Sequence, residues 1–197
     1  MRDKPQKKQH HHGNLREALI TAGIDLLNEG GLSALTLRRC AARAGVSHAA
    51  PAYHFEGLNG LLTAIAARGY QVLAETMREE RELASSTDPH ARLVAICNGY
   101  LRFAQENEAL FDLMFSAKEL CYDDPELQQE SANAHQVLHR GCAPFKHGSA
   151  GNEGTEMMIW ALVHGFAGIL RKCRARSDSH LLKNIRFEDI LPHLDCT

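Results

Sequence analysis

Apolar residues recur at helical spacing in nearly every segment of this 197-residue chain, and no run sustains the two-residue alternation of a half-buried strand. That pattern constrains the fold most, and it predicts an all-α protein. Leu15, Ala18, Leu19, Ala22 and Leu26 predict a helix from Asn14 to about Asn28, closed by Gly30-Gly31. Thr36 caps a second helix with Leu37, Cys40, Ala41 and Ala44 inward. Gly45 ends it, and Ser47 is placed to cap a third helix through about His54. A long helix follows from Leu58 to Leu83. Asp88-Pro89 and Asp124-Pro125 each put an aspartate N-cap before a proline at the first helical position, opening helices to about Glu106 and Cys142. Asn107 caps a short helix between them. After a glycine-rich loop from Pro144 to Gly154, Thr155 to Arg174 is apolar on nearly every face and must be covered on two sides. A last helix lies between Ser179 and Leu191. The expectation is about nine helices.

Composition narrows the class. Hydrophobic and charged fractions of 44% and 23% are those of an ordinary globular protein. No apolar run approaches the roughly 18 residues of a membrane span, and none near the N-terminus reads as a signal peptide, which points to a cytoplasmic protein without a membrane partner. Six cysteines (Cys40, Cys97, Cys121, Cys142, Cys173, Cys196) are scattered without a C-x-x-C pair, a pattern of buried or incidental thiols rather than a zinc site or disulfide scaffold. Net charge is −2. Through Gly60, however, eight Lys/Arg face five Asp/Glu, and the balance reverses beyond it. A basic N-terminal module on an acidic body fits a polyanionic partner for the first part only.

That module carries the most specific signal. Two short helices joined by A-R-A-G-V-S, with glycine where a left-handed residue is needed, make a helix-turn-helix whose second helix reads the DNA major groove. The plainer reading is a three-helix bundle that only stabilises its neighbours. The stretch T-L-R-R-C-A-A-R-A-G-V-S-H-A-A-P-A-Y-H-F, followed by G-L-L from Gly60, resembles the DNA-binding signature of the TetR family of bacterial transcriptional regulators. H-H-G-N-L-R-E-A-L from His11, and Trp160-x-x-x-His164-Gly165, resemble one subgroup of that family. The resemblance spans the chain, strongest over Gly13 to about Leu73.

The resemblance implies a flexible basic, His-rich tail (1–12), a helix-turn-helix domain (13–60, motif 36–55) and a helical ligand-binding and dimerisation domain (61–197). It implies DNA contacts by Thr36, Arg38, Arg39, Ser47, His48, Ala49, Ala50, Tyr53 and His54, with Phe55 in the module's core. Ala52 stands where the family often has a tyrosine and Leu58 where it has a lysine. Gly57 and Gly60 weaken the following helix start. The function implied is a homodimeric, effector-released repressor on a palindromic double-stranded DNA operator, with no cofactor.

The remaining candidates are placed by chemistry. Phe103, Phe111, Met114, Phe115, Met157, Trp160 and His164 line a cavity for a small apolar or aromatic effector, or simply pack the core. Trp160 and His164 lie one turn apart, and their polar groups need partners that a ligand would supply. His135 and His139, at i and i+4, belong to the same pocket; no carboxylate or thiolate is placed in sequence to make them a metal site. Val163, Gly165, Phe166, Ala167, Gly168 and Leu170 form the dimer seam, small residues permitting close approach. The rival classes are an all-α enzyme built on His135, His139 or His164, which lacks a nucleophile–base pair, and a helical adaptor whose N-terminal module binds protein.

Overall fold

The computed structural model describes residues 12–146, 151–175 and 185–196. Among these are eight α-helices: α1 (His12–Gly30), α2 (Leu37–Arg43), α3 (Gly57–Leu83), α4 (Pro89–Glu106), α5 (Glu108–Ser116), α6 (Pro125–Cys142), α7 (Gly151–Ala175) and α8 (Phe187–Ile190). The Lys-rich tail with His10 and His11, residues 147–150 of the glycine-rich loop, and 176–184, where the last helix was expected to begin, lie outside the described residues.

The fold is all-α, with two corrections to the sequence expectation. The expected third helix is a short 3-10 turn, Ala50–Tyr53. Two two-residue strands, β1 (Phe145–Lys146) and β2 (Asp195–Cys196), pair antiparallel with Phe145 opposite Cys196. They are too short for alternation to register in the sequence.

The proline signals act as read. Asp88 accepts from the Ala91 N–H and Asp124 from the Leu127 N–H, each at 2.9 Å, at the starts of α4 and α6. Thr36 Oγ1 accepts from Arg39 N at 3.2 Å and caps α2. Asn107 does not cap α5: its side-chain amide turns back and donates to the Phe103 carbonyl, closing α4 instead.

One contiguous apolar core runs from Leu19, Leu26 and Leu35 through Ile65 and Leu73 to Phe103, Leu138 and Val163. The helix at its centre is α3, whose 27 residues extend about 40 Å. It begins directly after the 3-10 turn and packs along α4, α5 and α6. Thr63, fully buried on α3, donates to the Asn59 carbonyl and accepts from the Cys121 N–H, pinning the α5–α6 connection. On the far side α8 docks by Phe187 against Phe166, ring centroids 6.0 Å apart.

Candidate functional site

The N-terminal module presents its reading surface through a 3-10 turn because proline interrupts helix formation there. Ala50 N–H bonds to the Ser47 carbonyl and Ala52 N–H to the Ala49 carbonyl, both three residues back. Pro51 has no N–H to give between them, so the tighter turn replaces the α-helix. Ser47 contributes its backbone carbonyl, not the side-chain cap expected of it. Gly45 takes φ +69, the left-handed conformation that the tight turn needs. Gly57, read in sequence as a weak helix start, takes φ +72 and is what lets α3 leave the turn.

Burial divides the predicted contact residues. Ala50 (8% exposed), Pro51 and Phe55 face the core, so Ala50 is withdrawn from the surface. Ser47, His48, Ala49 and Ala52 are exposed, and Tyr53 is 84% exposed. His54 is half-buried with its ring 6.3 Å from that of Phe55. Thr36, Arg38 and Arg39 stand exposed on α2. Arg43 is committed elsewhere: both its terminal nitrogens reach the Glu29 carboxylate, at 2.8 and 2.6 Å, which holds Glu29 below the usual carboxylate range. Two arginines on α2 without an ion pair among the described residues, with an exposed tyrosine and a histidine at the 3-10 turn, suit a phosphate backbone and base edges.

The second site is a cavity of about 320 Å³ in the C-terminal helices. Its walls are Tyr70, Leu73 and Met77 from α3, Tyr100 from α4, Phe115 from α5, Ser131, Ala134, His135 and Leu138 from α6, and Trp160 from α7. Three predicted residues, Phe115, His135 and Trp160, are thus in place. Phe103, Phe111 and Met114 are core residues, because their faces of α4 and α5 point into the bundle. Met157 points outward at 59% exposure and is not a cavity residue.

Tyr100, which no sequence signal marked, organises the wall. The Tyr100 hydroxyl is hydrogen-bonded to His164 Nδ1 at 2.9 Å, and both Tyr100 and Trp160 line the cavity. For His164, the partner expected from a ligand is therefore supplied by the protein. His164 lies behind the wall, stacked on Phe111 with centroids 5.4 Å apart. Arg171 caps that ring from 5.1 Å while pairing with Asp112 at 2.6 Å.

The structure also supplies a carboxylate that the sequence did not show beside the α6 histidines. Glu156, 7% exposed on α7, places Oε2 2.7 Å from His139 Nδ1 and Oε1 3.1 Å from His135 Nε2, the latter contact too bent for a hydrogen bond. His139 therefore faces Glu156 and not the cavity. His135 joins the two groups, its ring edge-on to Trp160 at 5.7 Å. Among the described residues no group of three His, Cys, Asp or Glu is arranged to hold a metal ion. All six cysteines are unpaired. Burial pushes the Cys142 thiol up to about 12, which removes its nucleophilic form at neutral pH.

Burial, then the charge of Arg171, holds His164 below the ordinary histidine value of 6.5. The unfolded chain therefore binds a proton that the folded chain refuses. The His164 contribution to stability is complete above about pH 6.5 and is lost as pH falls below it. Unfolding free energy measured from about pH 7.5 to 5.5 is expected to fall more steeply in the parent than in His164→Gln; equal slopes would remove His164 as a source of acid sensitivity.

The predicted seam on α7 divides as well. Val163, Phe166 and Ala167 are core residues, and Leu170 packs against that core. The outward face instead carries Met157, Ala161, Gly165 and Ile169, four residues apart, with Gly168 beside them. Apart from the helix's own backbone and the adjacent residues, no atom of the described residues lies within 4 Å of where a Cβ would sit on Gly165 or Gly168. No helix among the described residues is long and apolar enough to cross a membrane.

Comparison with known proteins matches both parts of the chain. Residues 19–65 match the family described as bacterial regulatory proteins, tetR family, and residues 93–179 match the tetracyclin repressor-like C-terminal domain. The HTH-type transcriptional regulator BetI of Yersinia pestis (strain Pestoides F) is 30% identical over 132 residues, covering 66% of this chain and 67% of its own. A protein of unknown function from Rhodococcus sp. RHA1 has a similar structure, with TM-score 0.72, 25% identity and coverage of 93% and 92%. The multidrug binding protein EbrR, solved with imidazole, shares the fold at TM-score 0.54, 19% identity and 88% coverage of both chains.

Proposed function

The chain belongs to the TetR family of helix-turn-helix transcriptional regulators, DNA-binding proteins rather than enzymes, and from that premise we propose that it is a homodimeric repressor released from a palindromic operator by a small effector. The observation that carries this reading is α3. One uninterrupted helix starts four residues after Tyr53 and supplies Tyr70, Leu73 and Met77 to the cavity. A ligand that displaces the cavity end of a rigid helix moves its DNA end too. The effector is apolar or aromatic, matching walls of tyrosine, phenylalanine, tryptophan and leucine. Two copies join through the outward α7 face of Met157, Ala161, Gly165, Gly168 and Ile169, which sets the two reading turns about one DNA turn apart.

Thr36, Arg38 and Arg39 hold phosphates or reach bases from α2. His48 and Ala49 lead into the groove, and Tyr53 and His54 take the backbone at its far side. A mobility shift on DNA upstream of the protein's own gene tests the reading. Tyr53→Ala and Arg39→Ala are each expected to weaken the shift by about tenfold or more without altering thermal stability, since both side chains are exposed. A parent protein that shifts no upstream fragment would favour the protein-binding adaptor.

A further inference from the structure

We infer that Arg16 is the positioning residue that couples the effector cavity to the DNA-reading turn, an assignment that rests on the effector-released regulator proposed above. Arg16 lies on α1, in neither site, yet its guanidinium touches elements of both. One edge faces the Glu126 carboxylate in a two-pronged contact, with Nη1 3.3 Å from Oε1 and Nη2 on Oε2. Glu126 sits in the first turn of α6, the helix that carries Ser131, His135 and Leu138 to the cavity. One face of the same guanidinium lies over the Phe55 ring, Cζ 5.6 Å from its centroid. Phe55 closes the reading turn: its N–H donates to the Pro51 carbonyl at 2.9 Å and its carbonyl accepts from Gly57. Beside Arg16, Glu17 pairs with Arg68 of α3. The beginning of the cavity helix, the end of the reading turn and the middle of α3 are thus contacted by two neighbouring charges on α1, Arg16 and Glu17.

The geometry suits transmission better than stability. Arg16 and Glu126 are both partly exposed, and single exposed ion pairs contribute little to folding. A two-pronged contact is, however, sensitive to position. An α6 displacement of about 1–2 Å, typical of helix shifts in switching proteins, breaks at least one of its two hydrogen bonds. Arg16 then no longer has a fixed place over Phe55, and the exit of the reading turn loosens. Because coupling is reciprocal, DNA bound at the turn must also bias the cavity.

That reciprocity permits a test without the effector. Trp160 is the sole tryptophan and lines the cavity, so acrylamide quenching of its fluorescence reports the cavity alone. The parent is titrated with a DNA fragment that it shifts, and quenching is compared free and saturated. DNA is expected to change Trp160 quenching in the parent. Glu126→Gln, an exposed substitution away from the DNA surface, is expected to keep DNA affinity within about threefold while losing most of that change. Arg16→Gln is expected to lose it as well, and the exchange of Arg16→Glu with Glu126→Arg to regain part. The assignment is overturned if both single variants keep the full change, or if the parent binds DNA with no change at Trp160. A parent that binds no fragment overturns the regulator reading itself, and this one with it.

Discussion

Gly99→Val is expected to cost about 3 kcal/mol or more and to lower the melting temperature by roughly 6–12 °C. Gly99 is where α4 crosses α3 with nothing between the two backbones. A Cβ built there would lie 2.6 Å from Met77 Cα and 2.8 Å from the Thr76 carbonyl oxygen. Those atoms belong to the backbone of a long helix and cannot swing aside as a side-chain tip does. Either α4 moves outward along its whole contact with α3, or the helix backbone deforms. Alanine at the same place already meets the 2.6 Å contact and is expected to fall between the parent and the valine variant. Urea unfolding of the three proteins gives the order directly, and a valine variant within about 1 kcal/mol of the parent would mean that the helices are not in backbone contact. Because α3 joins both sites, the same variant should also lose DNA binding in proportion to its unfolded fraction.

Tyr100→Phe is expected to cost about 1–3 kcal/mol although it removes a single oxygen. That oxygen is hydrogen-bonded to His164 Nδ1 at 2.9 Å, so its removal leaves a part-buried ring nitrogen without this partner. The loss should also appear as a change in Trp160 emission, which a general destabilisation would not produce under native conditions. Tyr70→Phe is the control. It removes a hydroxyl from the same cavity that has no hydrogen-bond partner among the described residues, and is expected to stay within about 0.5 kcal/mol of the parent. Equal effects of the two substitutions would count against the Tyr100–His164 hydrogen bond.

The helix-turn-helix was readable in sequence because each of its signals is local. Thr36 caps the residue three positions on, Gly45 adopts its own φ, and Asp88 and Asp124 bond within one turn. The third helix expected through His54 is the exception, and Pro51 is the cause. Without an N–H to give, it shifts the turn to three-residue hydrogen bonds, and Ala50 is buried there. The cavity was legible only in part. Trp160 and His135 carry chemistry that draws notice, whereas Tyr100 of α4 has no motif around it in sequence to mark it.

What the sequence determined by itself was the order of the α-helices and most of their punctuation, since propensities, caps and turn glycines act over four residues or fewer; the 3-10 form of the turn at Ala50–Tyr53 was outside it. What the tertiary structure alone decided was which way each helix faces and what meets across the bundle. For α7, apolar nearly all round, the periodicity left the face open, and packing buried Val163, Phe166 and Ala167 while turning Met157, Gly165 and Ile169 outward. Tyr100 finds His164 from 64 residues away and Arg16 finds Glu126 from 110. Such pairs are set by how helices stack around α3, where burial of the core fixes the geometry and polar partners follow from it.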